Sequence, residues 1–503
     1  MQLNKLFMRI LFTTLLLSFS LLVSAQDTSI QKKDLISASK LFDFSFTTKE
    51  IDTLYSDVID NLANYKAMHR LPLANSVPLS MWQTPVVPGM HFNTVQKTIA
   101  WKLDNTVQLP TNKNDLAFYT LEQLASLIKN KKISSLALTQ FFIDRIKKWG
   151  DTLQCVISIQ EDIAYAEAKK ADAELAQGKY RGLLHGIPYG LKDLFAVKGT
   201  KTTWGAAPYQ NQTIDEDAFV YIKLKEAGAV LVAKFTLGAL AMGDYWYGGR
   251  TKNPWNLNYG SSGSSAGSTS ATVAGLVPFA IGTETWGSIV SPSTTCGATG
   301  LRPTFGSISR SGAMALSYSL DKVGPICRSA ADAAIVFNYI HGTDGKDGSA
   351  VNMPFNYTPN KDIKKLKIGY AKNYFDKIKD TSRNEFKVLE EFKKLGVQLI
   401  PVNFPDSGVY NFNIMDVVIG VECAAQFDEM TRMNIDDALT RQTKNDWPNS
   451  FRTARFVPAV EYINAQRHRY TLMQKVNEVM QQYDVIICPS TRSSCFCPVV
   501  CVE

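Results

Sequence analysis

Two stretches decide the fold of this chain: GSSGSSAGS at residues 260–268 and GTETWGSIVSP at residues 282–292. Glycine lets a backbone turn tightly and approach a substrate closely, and serine hydroxyls can attack a carbonyl carbon or relay a proton. A flexible linker is also rich in glycine and serine, but linkers do not enclose an apolar run such as VAGLVPFAI at residues 273–281. We therefore interpret the two stretches as loops of a catalytic site.

These loops, together with HGIPYGLKD at residues 185–193, resemble the amidase signature family of serine hydrolases. Ser264 and Ser288 are 24 positions apart, as are the two catalytic serines of that family, and Lys192 lies in a segment similar to its lysine segment. Further similar segments are residues 202–203, 253–256, 300–304 and 320–325. The resemblance covers about residues 116–490. It implies one large α/β domain, with a central mixed β-sheet flanked by helices. The apolar spacing of the preceding residues predicts an N-terminal helical arm.

The resemblance also implies a catalytic triad of Lys192, Ser264 and Ser288, with no metal and no organic cofactor. Ser288 would attack the amide carbonyl, and Ser264, which would follow a cis peptide bond, would pass the proton to Lys192. Lys192 must be uncharged to accept it, and burial favours this because desolvation lowers the pKa of a lysine. The oxyanion hole would consist of the backbone N–H groups of Thr285, Trp286, Gly287 and Ser288.

Trp286 departs from many members of that family, in which a second glycine is common just before Gly287. The substitution keeps the backbone N–H and adds a large ring. Two places for the ring are open: it lines or narrows the acyl pocket, or it packs away from the site.

Histidine is the usual base for a serine nucleophile, but none of the five histidines, at positions 69, 91, 185, 341 and 468, lies in a Ser-His-Asp context. An alternative nucleophile is Ser265, because GSSAG at residues 263–267 matches the G-x-S-x-G elbow. That elbow requires a preceding strand and a downstream acid and histidine, and we expect no strand at residues 259–262. For His185 we expect a loop or supporting position, for Arg302 and Asp321 an ion pair or loop anchor, and for the other loop serines hydrogen bonds to backbone.

Composition points to a globular protein with a sizeable core rather than to a nucleic-acid-binding protein. Hydrophobic residues make up 45% and charged residues 20% of the 503, with a mild net charge of +8. Basic blocks and zinc-finger spacings are missing from the sequence, so nucleic acid is not an expected partner. Eight cysteines are scattered, and those at 488, 495, 497 and 501 lack the supporting histidine of a zinc pattern.

The N-terminus has the pattern of a secretory signal peptide. Lys5 and Arg9 precede a largely apolar segment at residues 10–23, and Val23-Ser24-Ala25 offers small residues for cleavage. The sequence therefore predicts a signal peptide at residues 1–25 and a secreted or periplasmic protein. The apolar segment is shorter than the ~20 residues of a spanning helix, so we expect no stable membrane span after cleavage. An uncleaved anchor is the alternative.

Apolar periodicity and turn residues divide the rest of the chain into residues 26–115, a helical and extended arm, and residues 116–503, the main domain. We predict helices at about 44–68, 121–128, 134–149, 163–177, 218–227 and 385–395. Strands are predicted at about 229–233, 365–370, 397–400 and 484–489. The family usually continues well beyond the last of these strands, so the resemblance implies a short C-terminus.

Three functions are compatible with these patterns. The first is a secreted amidase that hydrolyses a carboxamide C–N bond of a small-molecule or peptide substrate through a Ser-Ser-Lys triad and an acyl-enzyme. The second is the A-type subunit of a glutamine-dependent tRNA amidotransferase, which works with partner subunits. The third is a catalytically inactive relative that serves as a binding protein, because a fold does not guarantee an activity.

Overall fold

The computed structural model describes residues 30–42, 45–68, 70–71, 74–77, 81, 83–90, 93–101, 103–358 and 361–490. The predicted signal peptide and the cysteines at 495, 497 and 501 lie outside these residues. The chain divides into two compact units, one ending at Leu73 and the other beginning at Ala74. The arm boundary near residue 115 and the short C-terminus stay predictions.

The described residues of the first unit form two helices, α1 (Lys32–Leu41) and α2 (Thr48–Met68). The sequence predicted α2 but not α1. Thr47 and Glu50 form a reciprocal cap at the start of α2, since Thr47 N donates to Glu50 Oε2 at 2.7 Å and Glu50 N donates to Thr47 Oγ1 at 3.3 Å.

The second unit is built on a six-stranded mixed sheet in the order β1-β3-β2-β8-β10-β9. The pairs β2–β3 and β2–β8 are parallel, whereas β1–β3, β8–β10 and β9–β10 are antiparallel. A second, parallel sheet has the order β12-β11-β13, and two short ladders join β4 to β5 and β6 to β7. The strands are β1 (Val156–Ile159), β2 (Pro188–Lys192), β3 (Val230–Phe235), β4 (Tyr245–Trp246), β5 (Gly249–Arg250), β6 (Lys252–Asn253), β7 (Asn256–Gly260), β8 (Ala280–Glu284), β9 (Thr299–Gly300), β10 (Lys322–Cys327), β11 (Ile368–Ala371), β12 (Leu399–Val402) and β13 (Val485–Ile487).

Helices cover the sheets. They are α3 (Leu121–Lys129), α4 (Ser135–Leu153), α5 (Glu161–Ala176), α6 (Phe219–Glu226), α7 (Ala266–Val273), α8 (Val290–Cys296), α9 (Ala330–Ile340), α10 (Lys372–Phe375), α11 (Asn384–Lys394), α12 (Ile414–Gln426), α13 (Asp428–Arg432), α14 (Trp447–Ala454) and α15 (Ala459–Met480). Short 3₁₀ turns lie at Lys113–Phe118, Ala207–Tyr209, Ala239–Ala241, Ile363–Lys365, Gly408–Tyr410 and Ile435–Ala438. The α/β class and the mixed sheet flanked by helices confirm the predicted fold. None of the described helices combines the length and apolarity needed to cross a membrane.

Most predicted elements are present, with informative differences. A capping box of Thr120 and Gln123 begins α3. Helical spacing places Leu138, Phe142, Ile146 and Trp149 on one face of α4; the first three are buried, whereas Trp149 is 42% exposed. The prediction of no strand at residues 259–262 was wrong for Tyr259 and Gly260, which end β7.

The sheet brings the lysine segment and the second serine loop to one edge. Strands β2 and β8 are adjacent and parallel, with Leu191 paired to Ile281, so both end at the same edge of the sheet. Lys192 is the last residue of β2, and Glu284 is the last residue of β8. The chain therefore places Lys192 directly beside the start of the loop that carries Ser288.

Candidate active site

Lys192 is the centre of the site. Its side-chain nitrogen lies 2.8 Å from Ser264 Oγ, 2.8 Å from Thr283 Oγ1, 3.2 Å from Ser265 Oγ and 3.4 Å from Thr283 O. These four partners are all uncharged, and the lysine is completely buried. Burial lowers the pKa of Lys192 to about 7, although the carboxylates of Asp321 and Glu284 act to raise it. An amine with this pKa can exchange a proton near neutral pH.

The loop before α7 presents Ser264 to the lysine. The Gly263–Ser264 peptide is cis. Glycine is required here by close packing: a Cβ on Gly263 would collide with the carbonyl oxygen of Gly243, and one on Gly267 would collide with Cys155 O and Thr236. The glycines of the GSSGSSAGS stretch thus allow this loop to pack directly against neighbouring backbone.

Ser288 lies on the next loop and is tied to the first. Ser265 N donates to Ser288 O at 3.0 Å, which links the two serine loops. The Ser288 hydroxyl has no hydrogen-bond partner among the residues that the structure describes. Its side chain is therefore available to a substrate.

Unused backbone donors surround Ser288. Glu284 Oε2 accepts from Ile289 N at 2.9 Å and from Val290 N at 3.0 Å, so those two amides are occupied. Gly287 and Ser288 are both buried, and within the described chain neither of their N–H groups has an acceptor. Buried N–H groups are nearly always paired, so these two are suited to bind an oxygen of a ligand.

Thr285 is held at two points, by Asp321, which precedes β10, and by Lys322, the first residue of that strand. Its hydroxyl donates to Asp321 Oδ1 at 2.5 Å, and its carbonyl oxygen accepts from Lys322 Nζ at 3.1 Å. Asp321 Oδ2 also accepts from the backbone of Leu316 and Ser317. Arg302 pairs with Glu284 at 3.6 Å. These contacts confirm the anchoring and ion-pair positions expected for Asp321 and Arg302.

The ring of Trp286 packs against an apolar cluster formed by Leu320, Met415, Val418 and Ala465. It is not among the residues that line the nearby cavity. Of the two places that the sequence left open, the structure supports packing away from the acyl side of the site.

The structure separates His185 from the chemistry. His185 Nε2 lies 2.9 Å from Ala171 O, and its ring packs against Tyr180. Burial lowers the pKa of this histidine. Its contacts within the described chain are therefore those of the supporting position that the sequence predicted.

Ser265 has a different role from the elbow hypothesis. Its hydroxyl contacts Lys192 and donates to Thr283 O at 3.0 Å, and its described contacts include no histidine. Ser265 and Thr283 thus complete the lysine site, which sequence reasoning missed. The expectation for the other serines holds for Ser268, which donates to Ile281 O, whereas Ser262 and Ser291 bond to each other at 2.7 Å.

A cavity of about 200 Å³ opens beside Thr283 and Thr285. Lys192, Ser264 and Ser288 do not line it, so it adjoins the catalytic residues rather than containing them. Asn75 closes part of its rim, since its side chain bonds Ala315 N and Ala315 O, both at 2.9 Å.

Among the described residues, no group of three or more His, Cys, Asp or Glu side chains is placed to hold a metal ion. Cys155, Cys296, Cys327 and Cys423 are buried free thiols. Burial raises the pKa of Cys155 and Cys296 to about 12, so these thiols are not reactive nucleophiles.

Comparison with known proteins decides the family. The model of the family described as Amidase matches residues 137–497. This chain belongs to the amidase signature family. As a member, it is an amide C–N hydrolase.

An amidotransferase subunit and two solved structures are among the proteins similar to this amidase. The A-type subunit of the glutamyl-tRNA(Gln) amidotransferase from Coxiella burnetii (strain Dugway 5J108-111) is 34% identical over 405 residues, which cover 75% of this chain and 83% of the relative. The peptide amidase of Stenotrophomonas maltophilia has a TM-score of 0.65 and 26% identity, covering 76% of this chain and 85% of its own. A chain of an inhibitor-bound vestigial complex, related to the origins of an s-triazine catabolic enzyme, has a TM-score of 0.69 and 26% identity, and the match covers 75% of this chain and 82% of that one.

Proposed function

We propose that this amidase cleaves a carboxamide through an acyl-enzyme on Ser288, with Ser264 as the proton relay and Lys192 as the base. The observation that carries the proposal is the completely buried Lys192, which bonds only uncharged groups and lies 2.8 Å from Ser264 Oγ. A lysine in this setting is uncharged in a large fraction of molecules at neutral pH. It can therefore accept the proton that makes a serine nucleophilic.

The proposed reaction has two halves. Ser288 Oγ attacks the amide carbon while its proton passes to Ser264 and the Ser264 proton passes to Lys192. The C–N bond then breaks, and the proton returns by the same route to the leaving nitrogen, which departs as ammonia or an amine. Water attacks the resulting ester with the same relay, which releases the carboxylic acid and restores Ser288.

The backbone amides of Thr285, Trp286, Gly287 and Ser288 are proposed as the oxyanion hole. Support comes from the unpaired N–H groups of Gly287 and Ser288 within the described chain. Each donor aimed at the developing negative charge contributes about 3–4 kcal/mol to the transition state. Asp321 and Lys322 hold Thr285 and so fix the start of this loop.

For the amide itself, we propose the side-chain amide of glutamine as the first candidate. The support is the 34% identity with the A-type subunit of a glutamyl-tRNA(Gln) amidotransferase over most of both chains. In this case the chain would supply ammonia to partner subunits.

A second candidate is a secreted or periplasmic amidase that acts alone on small-molecule or peptide amides. It is favoured by the signal-peptide pattern of residues 1–25 and by the similarity to a peptide amidase. Neither candidate requires a bound metal or organic cofactor for the chemistry of the triad.

Ammonia release distinguishes the two candidates. The full chain is assayed with glutamine, alone and with the other subunits of the amidotransferase, and with a series of primary carboxamides and peptide amides. Glutamine hydrolysis that depends on the partner subunits supports the first candidate. Hydrolysis of other amides by the chain alone, with a mature N-terminus near residue 26 in cells, supports the second. Absence of ammonia from every substrate, by a folded protein, contradicts both.

A further inference from the structure

The cavity beside Thr283 and Thr285 has room for a small organic group. Its volume of about 200 Å³ is several times the ~30 Å³ share of one water molecule. Much of its wall is apolar, formed by Leu194, Ala241, Met314, Leu316 and Val323. Such a wall with a few polar groups is typical of a ligand pocket.

Three of the six charged side chains that line this cavity, Arg310, Asp347 and Asp321, are occupied by protein partners. Arg310 makes a two-point bond to Asp347, at 2.7 Å for each contact. Asp321 accepts from Thr285, Leu316 and Ser317. Two more, Glu216 and Lys346, are exposed at the rim.

Lys322 is the exception. It lines the cavity and is 8% exposed, yet within the described chain its ammonium has one acceptor, Thr285 O at 3.1 Å. An ammonium carries three N–H donors. Two of them are therefore left for a ligand, in a place where a charge-assisted hydrogen bond is strong because water is largely excluded.

The charges around Lys322 leave it ready for an anion. Burial lowers the pKa of Lys322 to about 7, with Arg302 and Arg469 acting in the same direction and Glu284 and Asp321 acting against them. Arg302 is paired with Glu284, and Arg469 donates to Ser319. A carboxylate bound at Lys322 would add a negative charge and restore the proton.

The position of Lys322 also sets a length. Thr285 O and the Trp286 N–H of the proposed oxyanion hole are the two ends of one peptide unit. The ammonium therefore lies within about 8 Å of the proposed oxyanion site, which is the sum of two hydrogen bonds and the width of the peptide unit. This is close to the span of an extended five-carbon chain plus one hydrogen bond.

We infer that this cavity binds the acyl part of the substrate and that Lys322 selects acyl groups that end in a carboxylate, as in half-amides of dicarboxylic acids. The inference rests on the proposed function, because it assumes that Ser288 attacks the amide of the same molecule. Lys322 is a specificity-determining residue in this scheme and takes no part in proton transfer.

The test compares two substrates of equal length, the monoamide of glutaric acid and pentanamide, which has a methyl group in place of the carboxylate. The readout is the kcat/KM value for the monoamide divided by the kcat/KM value for pentanamide. Lys322→Met should lower this ratio by about 10- to 100-fold, the range expected for a charge-assisted bond. Lys322→Arg, which keeps the charge, should retain most of the preference, and it serves as the second variant if Lys322→Met folds poorly.

Lys346→Met is the matched control, because it removes a lysine from the exposed rim of the same cavity. It should change the ratio by less than about threefold, as screening weakens exposed charges. An unchanged ratio in Lys322→Met would overturn the inference. So would equal losses on both substrates, which would mean that Lys322 only holds Thr285, or an effect at Lys346 alone.

A binding measurement separates this inference from the proposed function. Titration calorimetry with glutarate should show binding to the wild type and at least about tenfold weaker binding to Lys322→Met. Equal affinity, or no binding to the wild type, would overturn the inference even if both amides are hydrolysed. Binding through Lys322 by a protein that hydrolyses neither amide would leave the inference standing and remove the proposed function.

Discussion

Amide hydrolysis should rise with pH along a limb set by Lys192. At pH 7, a lysine with the ordinary pKa of 10.5 is uncharged in about 0.03% of molecules, whereas a pKa of about 7 leaves about half of them uncharged. Burial thus increases the active form by about 10³-fold at this pH. Because the uncharged base is required, kcat/KM should be half-maximal near pH 7, about 100-fold below its plateau at pH 5, and flat above about pH 8.

The assay is the initial rate of ammonia release from pentanamide between about pH 5 and 9. A neutral substrate is chosen because Lys322 also has a pKa of about 7 and would add its own titration with an anionic one. Lys322→Met should therefore keep the acid limb measured with pentanamide. Its disappearance in that variant would assign the limb to Lys322 and contradict the reasoning.

Lys192→Arg is the sharper perturbation. Arginine stays charged throughout this pH range, so kcat/KM should fall by at least about 10³-fold at every pH, the factor lost when the uncharged base is absent. Substantial activity in this variant, or a wild-type profile that peaks below about pH 6, would refute a lysine base.

Two other variants test the support of the site. Thr285→Val removes the hydroxyl that donates to Asp321. Because the oxyanion donors then shift, kcat for pentanamide should fall by about tenfold with little change in KM. Thr294→Val, at an exposed threonine, should have no effect, and a Thr285→Val variant that raises KM without lowering kcat would contradict the argument. Lys234 Nζ lies 2.8 Å from Asp193 Oδ1, and both side chains are buried. Lys234→Met leaves the Asp193 carboxylate buried without this cation and should lower the free energy of unfolding, measured by chemical denaturation, by about 3–5 kcal/mol. Adding Asp193→Asn should restore most of this loss, and a stable single variant would show that the pair is not a buried ion pair.

The sequence predicted that Lys192 and Ser264 meet in the site, but it did not predict the other side chains that contact the lysine. Lys192 and Ser264 are in direct contact as expected, because each belongs to a motif whose neighbours are distinctive. Ser265 and Thr283 were missed as lysine partners. Their side-chain directions depend on how β8 and α7 approach β2, and a run of serines and threonines carries no signal for that approach.

The fold was predictable where apolar periodicity was regular. Helices α3 to α6 were found within a few residues because their apolar positions recur at helical spacing. Strand β3 was found because it is a short continuous apolar run, and all of its residues are buried. The long helices α12 and α15 were not predicted, and α12 packs against both α14 and α15. A helix with neighbours on more than one side has no single apolar face to recognise. Lys322 was overlooked because a lysine in a strand has no pattern that distinguishes a buried position from an exposed one.

The position of the covalent adduct tests the central claim most directly. The protein is treated with a fluorophosphonate that reacts with activated serines, and the modified peptide is sequenced by mass spectrometry. The adduct should lie on Ser288 and should be lost in Ser288→Ala and in Lys192→Ala, while His185→Ala keeps it. An adduct on Ser264 or Ser265, or undiminished labelling without Lys192, would contradict the account.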